Sequence, residues 1–322
     1  MSTIAAVAIG RNEGERLRRC LTSLVQQAER VVYVDSGSDD DSVQMARAMG
    51  VQVVQLDNAV PFTAARARNA GFEALKPDLP DYVQFVDGDC GVTPGWLAQA
   101  AAELDERPEL GLVTGWREEI HPDRSLYNAI ADFEWHRPAG QIQACGGDMM
   151  VRAAEFDALG GFNPVVIAAE DDEFCARLRK SGKTLWRLPE PMTRHDANMM
   201  RFSEWWRRAV RSGHGFAQVG ALHPEHFVAE RKRVWIFGAL LPALALVAMV
   251  TGVWAGVVAI AAAYGLSYFR TVSGLHSEGL PRDQAKRLSV LLSLSKIPNF
   301  LGMLTYYKRR LTGADMKIIE YK

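Results

Sequence analysis

From Thr3 to Gly111 the chain repeats one unit: a short apolar run, a polar turn, then a stretch with helical periodicity. Nothing else in the sequence restricts the fold as strongly. Thr3–Ile9, Val31–Val34, Val51–Val54 and Tyr82–Val86 have the length and content of buried strands. The first intervening helix puts Leu17, Cys20, Leu21, Leu24 and Val25 on one face. A second carries Val43, Ala46 and Met49, with Gly50 suited to its C-terminal cap. A third, Phe62–Leu75, stops before Pro77. Thr93 reads as the N-cap of a fourth, with Pro94 at its first helical position. Such alternation predicts an α/β domain with a mostly parallel sheet covered by helices. Ligands of these sheets bind beyond the carboxyl ends of the strands, and Glu13, Asp35 and Asp87 fall at those ends.

Beyond Gly111 the pattern loosens. Leu112–Thr114 and Thr184–Leu188 read as strands. Ala153–Leu159 and Asp172–Lys180 read as helices, stopped by Gly160 and Gly182. Arg201–Val219 reads as a helix rich in Trp and Arg. Val234–Phe269 then carries no charged residue and is bounded by Arg231-Lys232-Arg233 and Arg270. One perpendicular span needs only ~20 residues, so the run predicts two helices turning near Thr251-Gly252, with both basic flanks on one side. Leu288–Tyr307 is apolar but contains Lys296 and Pro298, and Lys308-Arg309-Arg310 follows. It reads as an amphipathic helix at the interface, anchored by Tyr306 and Tyr307. The resulting organisation is a head over 1–200, a Trp/Arg-rich helical linker over 201–233, a hydrophobic membrane hairpin over 234–269 and an interfacial tail over 270–322.

Lys and Arg total 37 against 38 Asp and Glu, so no global field points to nucleic acid. Acids are frequent up to about Asp172 and basic clusters dominate afterwards. The four cysteines are scattered without a Cys-x-x-Cys pair, which argues against a zinc or thioredoxin-like site and for reduced thiols. Ile4–Ile9 is too short for the apolar core of a signal peptide, so the head is expected on the cytoplasmic side.

Three acidic clusters carry chemistry. Asp87-Gly88-Asp89 follows a buried strand, and carboxylate oxygens there suit magnesium or manganese, with a diphosphate completing the ligand set. Asp35 ends another strand and can accept hydrogen bonds from a base or ribose; Asp39–Asp41 read as a turn leading into a helix. In Glu170-Asp171-Asp172, mutual repulsion can raise one pKa and create a general base. Asp172 reads as favourable charge at a helix N-terminus. Arg66 and Arg68 lie on one helix, and Arg208 and Arg211 follow Trp205-Trp206; all four are candidates to grip phosphate. The Trp/Arg stretch serves equally as an interfacial anchor. His195 is a candidate metal or phosphate ligand. Asp148, in Gly146-Gly147-Asp148, has no assignable role.

Taken together these motifs resemble the family 2 glycosyltransferases of GT-A fold, a Rossmann-like nucleotide-diphospho-sugar transferase architecture. The resemblance rests on Arg11-Asn12-Glu13, Val34 to Asp40, Ala67-Arg68-Asn69-Ala70-Gly71, Val86-Asp87-Gly88-Asp89, Gly160-Gly161-Phe162-Asn163 and Ala169-Glu170-Asp171 with Arg177-Leu178. It covers about two thirds of the chain, in family order. The tail ending Ile319 to Lys322 resembles membrane-bound members that build surface polysaccharides. By this resemblance Glu13 and Asp35 contact the nucleotide, usually uridine. Asp87 sits near ribose and metal, Asp89 binds the metal (manganese or magnesium), and Asp171 is the base with Glu170 beside it. The resemblance implies an inverting transfer from a nucleotide-sugar, with a UDP-sugar as donor. The membrane tail suggests a lipid-linked or saccharide acceptor, contact with membrane lipid and a cytoplasmic-face location. The Gln-x-x-Arg-Trp motif of processive synthases is replaced by Glu204-Trp205-Trp206-Arg207-Arg208, which favours single-sugar addition. A non-catalytic scaffold would be expected to have lost one of Asp89 and Asp171. Gly10-Arg11-Asn12-Glu13-Gly14 is not the Gly-x-Gly-x-x-Gly turn of a nicotinamide enzyme.

Overall fold

A computed structural model describes residues 2–320; Met1 and the Tyr321-Lys322 end of the tail lie outside the described residues. Strand and helix alternate as β1 (Ile4–Gly10), α1 (Glu15–Val25), β2 (Arg30–Asp35), α2 (Ser42–Ala48), β3 (Gln52–Gln55), α3 (Ala64–Glu73) and β4 (Tyr82–Asp87). Both faces of β1, β2 and β4 are buried, while β3 is a half-exposed edge strand. Ala6, Ala8, Val31 and Tyr33 pack on one side with Leu17, Leu21 and Leu24, while Ala5, Val7, Val32 and Val34 pack on the other with Phe72 and Phe85. This two-sided burial explains why the strands read as continuous apolar runs.

The chain continues through β5 (Cys90–Val92), α4 (Trp96–Glu106), β6 (Leu110–Glu119), α5 (Leu126–Trp135), β7 (Gly140–Ile142), β8 (Met149–Arg152), α6 (Ala153–Ala158), α7 (Glu170–Lys180) and β9 (Thr184–His195). The sheet runs β3-β2-β1-β4-β8-β6-β9-β5, with β7 also on β9. The expectation of parallel strands holds for β3, β2, β1 and β4. The rest is mixed, because β8 runs antiparallel to both β4 and β6, and β5 and β7 run antiparallel to β9. The β6–β9 pair is parallel and far longer than its apolar cores suggest. Its register shifts between Leu110 and Leu112 and on both sides of Trp116. Bulges of this kind re-aim side chains, and Arg117 and Glu119 lie just beyond them.

Thr93 does not cap α4. Gly95 takes a left-handed φ of 84° and the helix starts at Trp96. The Thr93 hydroxyl instead donates to the carbonyls of Pro191 and Met192, tying the end of β5 to β9.

The head strands form one compact unit, up to Pro122 and over Ala131–Asn198; a second unit comprises Asp123–Ile130 and the residues from Met199 onward. The second contains α8 (Phe202–Leu222), α9 (Val228–Trp235), α10 (Leu241–Val250), α11 (Trp254–Ser277), α12 (Arg282–Leu294) and α13 (Lys296–Thr312). α8 and α13 cross at Gly213 and Gly302, where an added Cβ would strike the backbone oxygens of Asn299 and Val210 respectively. α9 runs into α10 through a π-turn at Ile236–Leu240. Pro242 lacks the N–H that the Gly238 carbonyl would accept, and the helix widens there. Among the described residues three helical stretches are long and apolar enough to cross a membrane: Val228–Val250, Trp254–Ser277 and Arg282–Thr312. The first two turn at Thr251–Val253, with Gly252 at φ 70°, as the hairpin expectation requires. The third is the segment read above as an interfacial helix, and by length and composition it too can span.

Candidate active site

The carboxyl ends of β1, β2 and β4 gather the first acids. Asp35 is 1% exposed. Its Oδ1 accepts from the Tyr33 hydroxyl at 3.0 Å and its Oδ2 from the backbone N–H groups of Gly37 and Ser38 at 3.1 Å. It therefore organises the β2–α2 turn from within. Asn12, at φ 56°, ties that turn to the β1–α1 loop by accepting from the Asp39 N–H at 2.9 Å. Glu13 pairs with Arg16 at 2.8 Å and lies against Gly88, whose missing side chain lets the two loops close on each other.

Asp87 is the hub. Its Oδ1 meets Arg68 at 2.6 Å and its Oδ2 meets Arg117 at 3.3 Å. The other arm of Arg68 reaches Glu170 Oε1 at 2.6 Å, so one guanidinium, 3% exposed, bridges the Asp87 cluster to the Glu170 cluster. Gly147 leaves the room this guanidinium occupies. Burial works against ionised Asp87, but Arg68 and Arg117 outweigh it and hold the carboxyl below its usual range. Asp148 completes the frame: it pairs with Arg117 at 2.9 Å, accepts from the Asp87 N–H at 3.0 Å and from the Thr193 hydroxyl at 2.8 Å.

Asp89 and His195 meet across β5 and β9, with Oδ2 and Nε2 3.3 Å apart. Two ligands about 2.1 Å from one octahedral ion stand about 3.0 Å apart, so the pair fits a divalent cation. The Cys90 thiol also lies within 4.8 Å of both ligand atoms. Its sulfur is packed in the core and pushed up by burial, and hard cations prefer oxygen; Asp89 and His195 are the better donors. The second ring nitrogen of His195 faces Glu119 Oε2 at 3.4 Å. Glu119 is fixed in turn by the N–H groups of His121 and Ala197. The Trp135 ring packs edge-on against His195 at 4.5 Å.

α7 begins at Glu170 from an N-cap, Ala169, held at φ 61°. Asp171 Oδ1 accepts from the Asp172 N–H at 2.9 Å. Its Oδ2 faces Gly146, where a Cβ would stand 4.0 Å from it and from the Arg117 guanidinium. Burial, then the charges of Glu170 and Asp172, push the Asp171 carboxyl well above the usual carboxylate range. Asn69 secures the floor, exchanging hydrogen bonds of 2.9 and 2.7 Å with the backbone of Phe162.

Arg68 thus joins Asp87 to Glu170, Asp89 pairs with His195 near Asp87, and Asp171 follows Glu170 at the start of α7. The phosphate-gripping expectation needs revision for two residues. Arg68 spends both arms on carboxylates, and Arg66 donates to the carbonyls of Val60 and Asp57, clamping the loop before α3. Arg208 and Arg211 lie on α8, in the second unit. Sequence reasoning missed Arg117 and Glu119, which carry no local signal on a bulged strand, and left Asp148 without a role.

Comparisons with known proteins bear on the family and the fold. Residues 7–150 match the model of glycosyl transferase family 2. A TPR repeat-containing protein of Synechococcus elongatus is 28% identical over 143 residues, 44% of this chain, which spans only 34% of that relative. The mannosyltransferase PcManGT of Pyrobaculum calidifontis, solved with GDP-Man and Mn2+, superposes with a TM-score of 0.60 at 18% identity, covering 93% of this chain and 87% of its own. Glucosyl-3-phosphoglycerate synthase of Mycobacterium tuberculosis, solved with Mn2+, uridine diphosphate and glucosyl-3-phosphoglycerate, gives 0.50 at 18% identity, covering 68% and 79%. At these identities the structures establish the fold.

Proposed function

We infer, for a chain whose residues 7–150 match the model of glycosyl transferase family 2, an inverting, metal-dependent transfer of one sugar from a nucleotide-sugar to a hydroxyl acceptor. A UDP-sugar is the favoured donor and a lipid-linked saccharide or polyprenyl carrier the favoured acceptor, handled at the cytoplasmic face of a membrane. The observation that carries this reading is the Arg68 bridge, which joins Asp87, beside the metal-suited Asp89–His195 pair, to Glu170, beside the high-pKa Asp171 carboxyl. Complexes of PcManGT with GDP-Man and Mn2+, and of the mycobacterial synthase with uridine diphosphate and Mn2+, support the donor class and the metal. The apolar helices support the membrane.

In this reading Asp89 and His195 hold the cation, with Asp87 beside them, and a bound divalent ion supplies positive charge for the departing diphosphate. Glu13 and Asp35 shape the nucleotide end, and Arg208 and Arg211 are assigned to the phosphates or to the membrane surface. Asp171 Oδ2 takes the proton of the acceptor hydroxyl. The freed oxygen attacks the anomeric carbon from the face opposite the leaving group, and the bond from that carbon to the phosphate oxygen breaks with its electron pair. Glu170, gripped by Arg68, holds α7 in place and keeps the Asp171 carboxylate basic.

The test is nucleotide release by the detergent-solubilised full chain from a panel of UDP- and GDP-sugars with Mn2+ or Mg2+. Metal-dependent release from one donor, lost in Asp89→Ala, is expected. Silence across the panel together with no nucleotide binding would favour a scaffold in its place.

A further inference from the structure

Arg187 stands on β9 and is only 9% exposed. Guanidinium groups this deep normally face carboxylates, as Arg68 and Arg117 do in this head. Arg187 faces none among the described residues. Its hydrogen bonding amounts to one long contact, Nη1 to the Pro138 carbonyl at 3.4 Å, and its Nε has no partner. The other charged group acting on it is a second cation, Arg137, and the rest of its electrostatic surroundings are the Cys145 and Cys175 thiols. Burial and the like charge of Arg137 pull Arg187 below the usual arginine range.

The position matters as much as the charge. β7 pairs Gly140 with Arg187, which places the 137–139 turn over the guanidinium. Arg137, Pro138 and Ala139 are exposed, so this corner of the head meets solvent. The Arg137 guanidinium donates Nε to the Glu134 carbonyl and makes no other hydrogen bond among the described residues, while the Arg137 carbonyl accepts from Trp116 Nε1. Cys145, whose thiol feels both Arg187 and Asp171, is followed by Gly146, the residue beside Asp171 Oδ2. A cationic pair with no counter-ion among the described residues therefore neighbours the segment that faces the base.

We propose that Arg187 and Arg137 form an oxyanion subsite that receives a phosphate group of the acceptor. The proposal rests on the transferase reading above and deepens it by naming the acceptor class. Arginine forks match phosphate oxygens in pairs, and a ligand that supplies the missing negative charge offsets the cost of burying an unpaired cation. A hydroxyl on the same ligand then reaches Asp171.

Thermal unfolding of the full chain in detergent tests this, with inorganic phosphate as probe at matched ionic strength and with UDP and Mg2+ filling the donor site. Phosphate is expected to raise the wild-type Tm and to leave Arg187→Met unmoved, its apparent affinity falling about tenfold or more. Without phosphate, Arg187→Met is expected to melt at or above the wild-type temperature, since an uncompensated buried charge has been removed. A loss of several degrees would show that Arg187 is a structural cation, and equal phosphate shifts in both proteins would place the anion elsewhere; either result overturns the proposal. Two further probes separate the sources of the phosphate. A larger Arg187-dependent shift with farnesyl phosphate than with glycerol 3-phosphate assigns a lipid carrier, and the reverse assigns a soluble acceptor. Failure of UDP to stabilise either protein would count against the transferase reading, whereas the phosphate comparison in its absence still judges the subsite.

Discussion

Replacing Arg68 by Met removes a group that neutralises parts of both acidic clusters. Its guanidinium is 3% exposed and contacts Asp87 and Glu170 at 2.6 Å each. Glu170 is as buried as its partner, while Asp87 keeps a weaker tie to Arg117 at 3.3 Å. Breaking a buried pair by deleting one partner costs about 3–5 kcal/mol, because the remaining charge is stranded. At about 2–4 °C per kcal/mol for a domain of this size, the metal-free protein should melt on the order of 10 °C lower at neutral pH. The pH dependence gives the sharper signature. In the wild type, the depressed Asp87 pKa contributes stability that is present above its unfolded value and lost as pH falls through the folded value. In the variant the stranded carboxylates can take up protons instead. The gap between the two melting curves should therefore narrow from about pH 7 to about pH 4. Thermal unfolding of both proteins in EDTA across that range is the assay. A shift of only a degree or two at neutral pH, or a gap that does not change with pH, would refute the bridging role.

Other perturbations probe the remaining parts. Because the Asp171 carboxyl titrates above the usual range, kcat/KM should rise with pH through that raised pKa, and the limb should vanish in Asp171→Asn; an unchanged profile would remove Asp171 as base. Glu119→Gln should weaken Mn2+ binding about 10–100-fold in a spin-resonance titration, as expected of a carboxylate that orients a ligating imidazole; unaltered affinity would make Glu119 a bystander. Ala169→Gly should relieve the left-handed strain at φ 61° and stabilise the protein by up to about 1 kcal/mol; a lower Tm would contradict that conformation.

The strand ends were legible because each acid follows a run buried on both faces, so a break in polarity marks the edge of the sheet. Asp35 and Asp87 could be read in this way, with Asp89 just beyond; Glu170 and Asp171 were read instead as an acidic cluster opening a helix. Their connections could not. Arg68 reads as a basic residue on a helix, and nothing nearby in sequence reveals that its two arms meet acids 19 and 102 residues away. Glu119 and Arg117 were hidden for a different reason: β6 owes its length to bulged pairing with β9, and only the apolar core of that strand carries a period-2 signal. The misplaced start of α4 has a local cause, since Gly95 adopts a conformation that a Thr-Pro cap signal does not encode.

The most direct test of the central claim separates the metal end of the site from the base end. Calorimetric titration of UDP and GDP into the detergent-solubilised chain with Mn2+ should show tight binding of one nucleotide. That binding should be lost in Asp89→Ala and retained in Asp171→Asn. Equal binding in all three proteins, or loss in Asp171→Asn alone, would contradict the assignment of metal and nucleotide to Asp89 and of proton transfer to Asp171.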